Sequence, residues 1–392
     1  MRLPGRVAAA IECLGPILGG AQVEAVLRGW ARDNRYAGSK DRSAIRDMIY
    51  DVLRKRQSCA ALGGGDDPRA LMLGWAVSEN QDLAEIFGAD RFGPEGLSET
   101  ERDHLDQTVQ LGDVWNMPDW LAQKLKSDYG DEAKGVAKAL TDRAPIDLRV
   151  HASRAKRDHI QEILAGEGIE TVALSTPNGL RLTGHHRAIT QLPIFQDGLI
   201  ELQDAQSQAI CNMIPIKKGQ AVLDYCAGGG GKSLALAARV PQAVFMAWDA
   251  HKARLKDLPD RAARAQSDIN LAENDPANED TQYDVVLLDV PCSGSGSWRR
   301  DPQGKWSLTP EQFDQILDLQ ADILRKTQHL VRPGGVLAYV TCSVFLEENI
   351  VQIQDFTRDI SEFSNEAEHQ FLPSEGGDGF FLCLLRRKNV NL

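Results

Sequence analysis

The chain has no apolar run approaching the roughly 18–20 residues that span a bilayer. It also has no closely spaced cysteine pair, no His-rich cluster and no internal repeat or low-complexity stretch. Each absence removes a class. Without a span, the 392-residue chain is expected to be soluble, with no membrane partner. The seven cysteines, Cys13, Cys59, Cys211, Cys226, Cys292, Cys342 and Cys383, are odd in number and scattered. They indicate neither a structural metal nor a disulfide framework, and a reducing cytoplasm is the expected compartment. A signal peptide is considered and set aside: Arg2 and Arg6 precede the apolar stretch Val7 to Gly20, but Glu12 and Pro16 interrupt it, as in an amphipathic helix.

A positive excess is lacking too, since 44 Lys and Arg face 56 Asp and Glu, a net charge of −12. That balance argues against a nucleic-acid partner until its distribution is read. Residues 1–56 hold eleven Lys and Arg against six Asp and Glu, whereas residues 57–110 hold three against eleven. A local basic face binds phosphate whatever the total charge, although a solvated helix face explains the same pattern. The hydrophobic fraction of 42% and charged fraction of 26% are those of a globular chain, long enough for two or three domains.

The first 140 residues carry helical periodicity. Ala8, Ile11, Leu14 and Leu18 recur at helical spacing, as do Val23, Val26, Leu27 and Trp30. A third stripe, from Ala44 to Leu53, is flanked by Arg42, Arg46, Arg54, Lys55 and Arg56, and further helical pattern covers 69–87 and 118–140. Past Ala144-Pro145 the texture changes: Ile146–Val150 alternates like a strand, Arg154–Glu167 reads as a helix, and Glu170–Leu174 and Gly179–Leu182 are short strands. From residue 219 on, the apolar runs Ala221–Asp224, Ala243–Trp248, Asp284–Leu288, Gly335–Val340 and Phe380–Leu385 alternate with turns or helices, as in a doubly wound parallel sheet. The stretch between the last two runs reads as helical.

Four segments carry chemistry. In the first, a strand ends at Asp224 and runs through Tyr225, Cys226 and Ala227 into Gly228, Gly229, Gly230 and Gly231, then Lys232-Ser233 and a helix. Glycines there let backbone N–H groups approach a ligand at the switch point of the sheet. The Gly-Lys-Ser ending invites a triphosphate loop, but the first glycine of that motif falls on Cys226, and an acidic strand end suits a nucleoside better. The second is Asp249, twenty positions past Gly229, where an acidic residue commonly takes ribose hydroxyls; a helix N-cap is the equal alternative. The third is Asp289-Val290-Pro291-Cys292 with the Ser-Gly run 293–296 and Arg299-Arg300-Asp301. The fourth is Thr341-Cys342-Ser343, then Glu347-Glu348-Asn349. Cysteines at the carboxyl ends of two strands of one open sheet share one crevice, which distinguishes them from buried filler.

In order and spacing these segments resemble the methyltransferase domain of the Sun/Fmu (RsmB-type) family of RNA cytosine-5 methyltransferases. The resemblance extends upstream to Phe195-Gln196-Asp197-Gly198 and Glu201–Ser207, and downstream to Gly377–Phe381, so it covers roughly 145–387. Asp41-Arg42 before Met48–Arg54 resembles the NusB-like RNA-binding domain of the ribosomal-RNA branch. One departure is visible: Gly228-Gly229 stands where the family has Ala-Pro.

The resemblance implies an α/β chain: a Rossmann-like S-adenosylmethionine-dependent methyltransferase at 211–392 with a mainly parallel sheet, a small α+β subdomain at 145–210, and an all-helical NusB-like domain at 1–140. It implies that Cys342 is the nucleophile and that Cys292 assists release of the adduct. Asp289 would hydrogen-bond the base and lie close to the cofactor. Lys232 would orient the base or screen Asp289, or else point into solvent. S-adenosylmethionine would rest on Cys226, Ala227, Gly228, Gly229, Gly230, Gly231 and Lys232, with Asp249 on the ribose and Asp275, or failing that Asp268, on the adenine. Arg299 and Arg300 would meet RNA phosphate or pair with Asp301, and Arg42 and Arg46 lie on the basic face expected to dock RNA. The expected substrate is small-subunit ribosomal RNA, acted on by a monomer without metal. Transfer RNA is the rival substrate, and a non-catalytic RNA-binding assembly factor the rival class. DNA methylation is disfavoured by the second cysteine, Cys342, and by the lack of a long recognition segment between 292 and 342.

Overall fold

The computed structural model describes residues 1–107, 111–112, 114–184, 189–373 and 376–389. It divides into two compact units, Met1–Arg143 with Trp298–Leu308, and Ala144–Ser297 with Thr309–Leu392.

The first unit is helical among its described residues. Helices Leu3–Leu18, Val23–Asp33, Ser39–Arg54, Arg56–Gly63 and Pro68–Ser78 enclose a core that includes Val7, Leu14, Ile45, Ile49, Val52 and Leu71. Their apolar residues recur at three and four positions, so each helix buries one stripe. Asp67 starts the fifth helix, its side chain accepting from the backbone N–H groups of Arg69 and Ala70, with Pro68 in the first turn. Gly63 and Gly74 let two helices cross backbone to backbone: a Cβ on either would lie 1.8 Å from a carbonyl oxygen, that of Ala70 or Cys59.

The segment Trp298–Leu308 groups with this helical unit although it sits between strands of the other unit in sequence. Lys305 Nζ donates to Arg54 O at 2.9 Å and Trp306 Nε1 to Leu53 O at 2.7 Å. These are carbonyls of the last turn of the helix Ser39–Arg54, which have no partner within the helix. Arg54 Nε returns a bond to Arg299 O at 2.7 Å.

In the second unit, four short strands, β1 (Asp147–Val150), β2 (Thr171–Ala173), β3 (Gly179–Leu182) and β4 (Ile200–Leu202), form an antiparallel sheet in the order β2-β3-β1-β4. The larger sheet contains β5 (Ala221–Asp224), β6 (Val244–Ala247), β7 (Ile269–Leu271), β8 (Tyr283–Asp289), β9 (Val331–Thr341), β10 (Phe363–Phe371) and β11 (Phe380–Arg387), in the order β10-β11-β9-β8-β5-β6-β7. Strands β5 to β9 run parallel, and β11 is inserted antiparallel between β9 and β10. Alternation fills both faces: Val285 and Leu287 pack on one side, Val286 and Leu288 on the other.

The sheet differs from the sequence reading in two strands. Residues 363–371 are a strand and not helix, because the Glu-rich run lies at the sheet edge, where one face stays wet and Glu366 pairs with Arg386 at 2.7 Å. Ile269–Leu271 is too short to show a period, and it pairs with β6 alone.

Candidate active site

The sheet order reverses between β5 and β8, so their carboxyl ends open a crevice. Asp224 ends β5 and Asp289 ends β8, while Cys342 follows β9 directly. The segments selected from sequence therefore meet at one end of the sheet, beyond the carboxyl ends of its central strands.

The glycine turn is held in a shape that side chains resist. Gly228 and Gly230 have φ of +50° and +76°, and a Cβ on Gly230 would fall 2.2 Å from Leu258. Asp249 fastens the turn from the next strand: its Oδ2 accepts from Gly228 N at 2.9 Å and its Oδ1 from His251 N at 2.8 Å, with Arg254 at 3.2 Å. Asp249 thus shapes the glycine turn as well as the turn that follows it. Beneath the turn, Asp224 is buried. Its Oδ2 accepts from Ser233 Oγ at 2.5 Å, and its Oδ1 has no partner. Burial pushes the Asp224 carboxyl up to about 7; the Ser233 bond and Lys232 oppose the rise, and Asp289 and Asp249 add to it.

Lys232 does not point into solvent. It is buried, and its Nζ meets Asp289 Oδ2 at 2.6 Å and lies 5.2 Å from the Phe380 ring centroid. Burial pulls the ammonium down, but the Asp289 charge and hydrogen bond outweigh it, and the net shift is upward.

Cys292 and Cys342 come together, with their sulfurs 3.2 Å apart. Sharing a proton with Cys342 raises the Cys292 thiol well above its ordinary range, and burial adds to the rise. The loops are laced through the backbone: Gly296 N donates to Cys342 O at 3.0 Å, and Gly379 N to Gly296 O at 2.8 Å. A Cβ on Gly296 would lie 2.0 Å from Gly379 O, so only glycine admits that approach.

Asp275 lies past the carboxyl end of β7, whereas Asp268 precedes that strand at its opposite end. Tyr225 Oη donates to Asp275 at 2.8 Å and Lys326 Nζ at 2.5 Å. Burial raises the Asp275 carboxyl, but Lys326, the Ala277 amide and Tyr225 together leave it below its ordinary range. Cys226 and Ala227 are buried under the turn, and burial, with the Asp224 charge, raises the Cys226 thiol well above its usual value.

The four arginines belong to the helical unit. Arg42 and Arg46 are exposed on the helix Ser39–Arg54, where Arg46 pairs with Glu24 at 2.8 Å. Arg300 is exposed, but Arg299 is only 4% exposed.

Two supporting residues are given no role in the sequence reading. Arg149, buried on β1, donates through Nη1 to Gly231 O at 2.9 Å and to Gln203 at 2.6 Å, bracing the glycine turn from the small sheet. An arginine within an apolar strand was the available signal. The second is Glu348, which the fourth segment includes without a role and which is buried behind both cysteine loops.

A doubly wound sheet with a glycine turn at its switch point and an acidic residue after the next strand defines the Rossmann-like methyltransferase class. The chain belongs to the 16S rRNA methyltransferase RsmB/F family, whose model matches residues 212–386. The ferredoxin-like domain of RsmF/B-like methyltransferases matches residues 117–188. The ribosomal RNA small subunit methyltransferase B of Pasteurella multocida is 33% identical over 309 residues, covering 73% of this chain and 69% of that protein. The protein of the same name from Xylella fastidiosa (strain Temecula1) is 30% identical over 390 residues, covering 88% and 90%. Among solved structures, a methyltransferase homolog protein from Pyrococcus horikoshii matches with a TM-score of 0.62 at 25% identity, over 74% of this chain and 100% of that one.

Proposed function

We propose that the protein methylates carbon-5 of a cytosine in small-subunit ribosomal RNA, with S-adenosylmethionine as methyl donor. Membership of the family and the names of its relatives support the substrate class. The observation that carries the chemistry is the pair of thiols 3.2 Å apart in the crevice that also holds the Lys232–Asp289 pair.

The residues present fit the cofactor. The glycine turn offers bare backbone, and the unpartnered, buried Asp224 Oδ1 is an acceptor that a cationic amino group satisfies. Cys226 to Lys232 would form the cradle, Asp249 would hold the ribose and Asp275 the adenine. When bound, S-adenosylmethionine supplies an electrophilic methyl group.

Cytosine carbon-5 is too weak a nucleophile to accept that methyl unaided. The Cys342 thiolate would form a bond to carbon-6 and push the ring's π pair toward carbon-5, which would take the methyl carbon as the methyl–sulfonium bond breaks and its electron pair stays on the donor sulfur. The carbon-5 proton must then leave and the sulfur–carbon-6 bond break, restoring the double bond; Cys292, beside Cys342, assists this half. As negative charge builds on the ring nitrogen that atom would take a proton from water, and Asp289 would accept the resulting N–H hydrogen bond, its carboxylate fixed by the Lys232 ammonium. The base leaves any stack to reach a thiol in a crevice, so loop or single-stranded RNA is the expected form. Arg42, Arg46 and Arg300 are exposed cations offered to its phosphates, whereas the burial of Arg299 leaves it no surface for that contact.

The test is transfer from labelled S-adenosylmethionine to deproteinised small-subunit RNA and to transfer RNA in parallel. The expected result is 5-methylcytosine in small-subunit RNA, absent with Cys342→Ala, and a covalent protein–RNA adduct accumulating with Cys292→Ala. Label confined to transfer RNA overturns the substrate. Adduct formed by Cys342→Ala protein overturns the nucleophile.

A further inference from the structure

Glu348 ends the short turn Leu346–Glu348 behind the Cys342 loop and has no exposed surface. A carboxylate in that position is costly unless fully hydrogen-bonded. Its Oε1 accepts from Ser293 N at 2.8 Å and Gln320 Nε2 at 3.0 Å; its Oε2 accepts from Ser293 Oγ at 2.5 Å and from Ser343 Oγ. Ser293 follows Cys292 and Ser343 follows Cys342.

The donors have fixed directions. The backbone N–H and the Gln320 amide only donate. Each serine hydroxyl donates to Glu348 and accepts a backbone N–H, from Ser295 at 3.2 Å and from Phe345 at 3.1 Å, and Ser343 Oγ also meets Ser295 Oγ at 2.8 Å. Gln320 also donates to Pro291 O at 2.9 Å, gripping the residue before Cys292. Tyr339 Oη holds the Glu348 carbonyl at 2.7 Å. Burial raises the carboxyl, and the Ser293, Ser343 and Gln320 bonds oppose it. No step of the reaction uses this carboxylate, and it makes no bond to either sulfur.

We propose that Glu348 is a positioning residue for the thiol pair, a single carboxylate bonded to the residue after each cysteine and so setting the spacing of Cys292 and Cys342. Its catalytic consequence rests on the roles proposed for the two cysteines, but the spacing itself is measurable without RNA. Diamide, an azo oxidant, takes two electrons and two protons from adjacent thiols; one sulfur–sulfur bond forms and diamide becomes its hydrazine. The other five cysteines are buried.

The experiment compares diamide-driven formation of the Cys292–Cys342 disulfide, read by peptide mass mapping, in wild type, Glu348→Ala, Glu348→Gln and the double variant Ser293→Ala/Ser343→Ala. Wild type should cross-link readily, and Glu348→Ala at least about tenfold more slowly, because an ångström of misplacement weighs that heavily on a paired reaction. Glu348→Gln keeps the shape and should fall between them. In methyl transfer, Glu348→Ala should lose kcat and retain adduct while its affinity for S-adenosylmethionine stays within about twofold of wild type, an outcome that a general loosening of the fold would not give. Cross-linking at the wild-type rate in folded Glu348→Ala overturns the proposal. If that variant fails to fold, the serine double variant decides by the same criterion. Failure of wild type to methylate any RNA would sink the proposed function and leave the cross-linking result standing.

Discussion

Lys232→Met leaves the Asp289 carboxylate without its cation, and the structure sets the size of the effect. The charged atoms are 2.6 Å apart, with 10% of the Lys232 side chain and 31% of the Asp289 side chain exposed. At that separation the attraction is about 6 kcal/mol for an effective dielectric of about 20, before desolvation is counted. Desolvation of both ions cancels most of it, so the pair itself adds little net stability. Removing one partner is a different matter, because it strands a charge: about 3–5 kcal/mol is lost for a fully buried pair. Asp289 keeps some water, which reduces the expected loss to about 2–3 kcal/mol. The buried Asp224 adds to it, since the Asp289 charge already raises its carboxyl. Urea unfolding of wild type, Lys232→Met, Asp289→Asn and the double variant closes a cycle. The double variant should regain all but about 1 kcal/mol, giving a coupling of at least about 1.5 kcal/mol. A coupling below about 0.5 kcal/mol would refute the reasoning.

Two further outcomes are expected. Asp224 titrates at about 7 in the folded protein but at about 3.9 in an unfolded chain. Between those values the unfolded chain releases a proton that the fold retains, so this group makes stability fall as pH rises from about 4 to about 7. Asp224→Asn removes the fall, and its stability relative to wild type should climb by about 2–3 kcal/mol between pH 5 and pH 8; a difference that stays flat across urea titrations rules the assignment out. In the helical unit, Gly74→Ala drives a methyl into the Cys59 carbonyl and should cost more than about 3 kcal/mol by thermal unfolding. Gly135→Ala meets open space and should be neutral or stabilising by up to about 1 kcal/mol; equal effects at the two sites would contradict the helix crossing.

What the sequence revealed of the site is what the sheet geometry forces. Strand ends converge, so Asp224, Asp289 and Cys342 were legible as a group from their positions after apolar runs, and the glycine turn announced itself. Partnerships across long separations were not. Lys232 and Asp289 lie 57 residues apart, and nothing local distinguishes this lysine from one at a wet helix start. Glu348 is one acidic residue among 56, and its role depends on two serines that look like loop filler. The edge strand β10 was hidden by its own charges, which suit an exposed helix equally well. The affiliation of Trp298–Leu308 with the helices was hidden because it depends on orphan carbonyls at a helix end, which sequence does not display.

The hydrogen bonds running from Gly379 to Gly296 to Cys342 bear on the order in which the protein becomes competent. Gly379 leads into β11, which enters the sheet antiparallel between β9 and β10 although it comes last in sequence among the described strands. A nascent chain therefore carries its glycine turn, both thiols and Glu348 before it can fasten the Cys292 loop. Until β11 arrives, β9 has an open edge and Gly296 lacks its donor. Synthesis from the amino end delays fastening of the thiol pair until β11 has joined the sheet, so a chain that stops short of that strand exposes two cysteines on an unfastened loop.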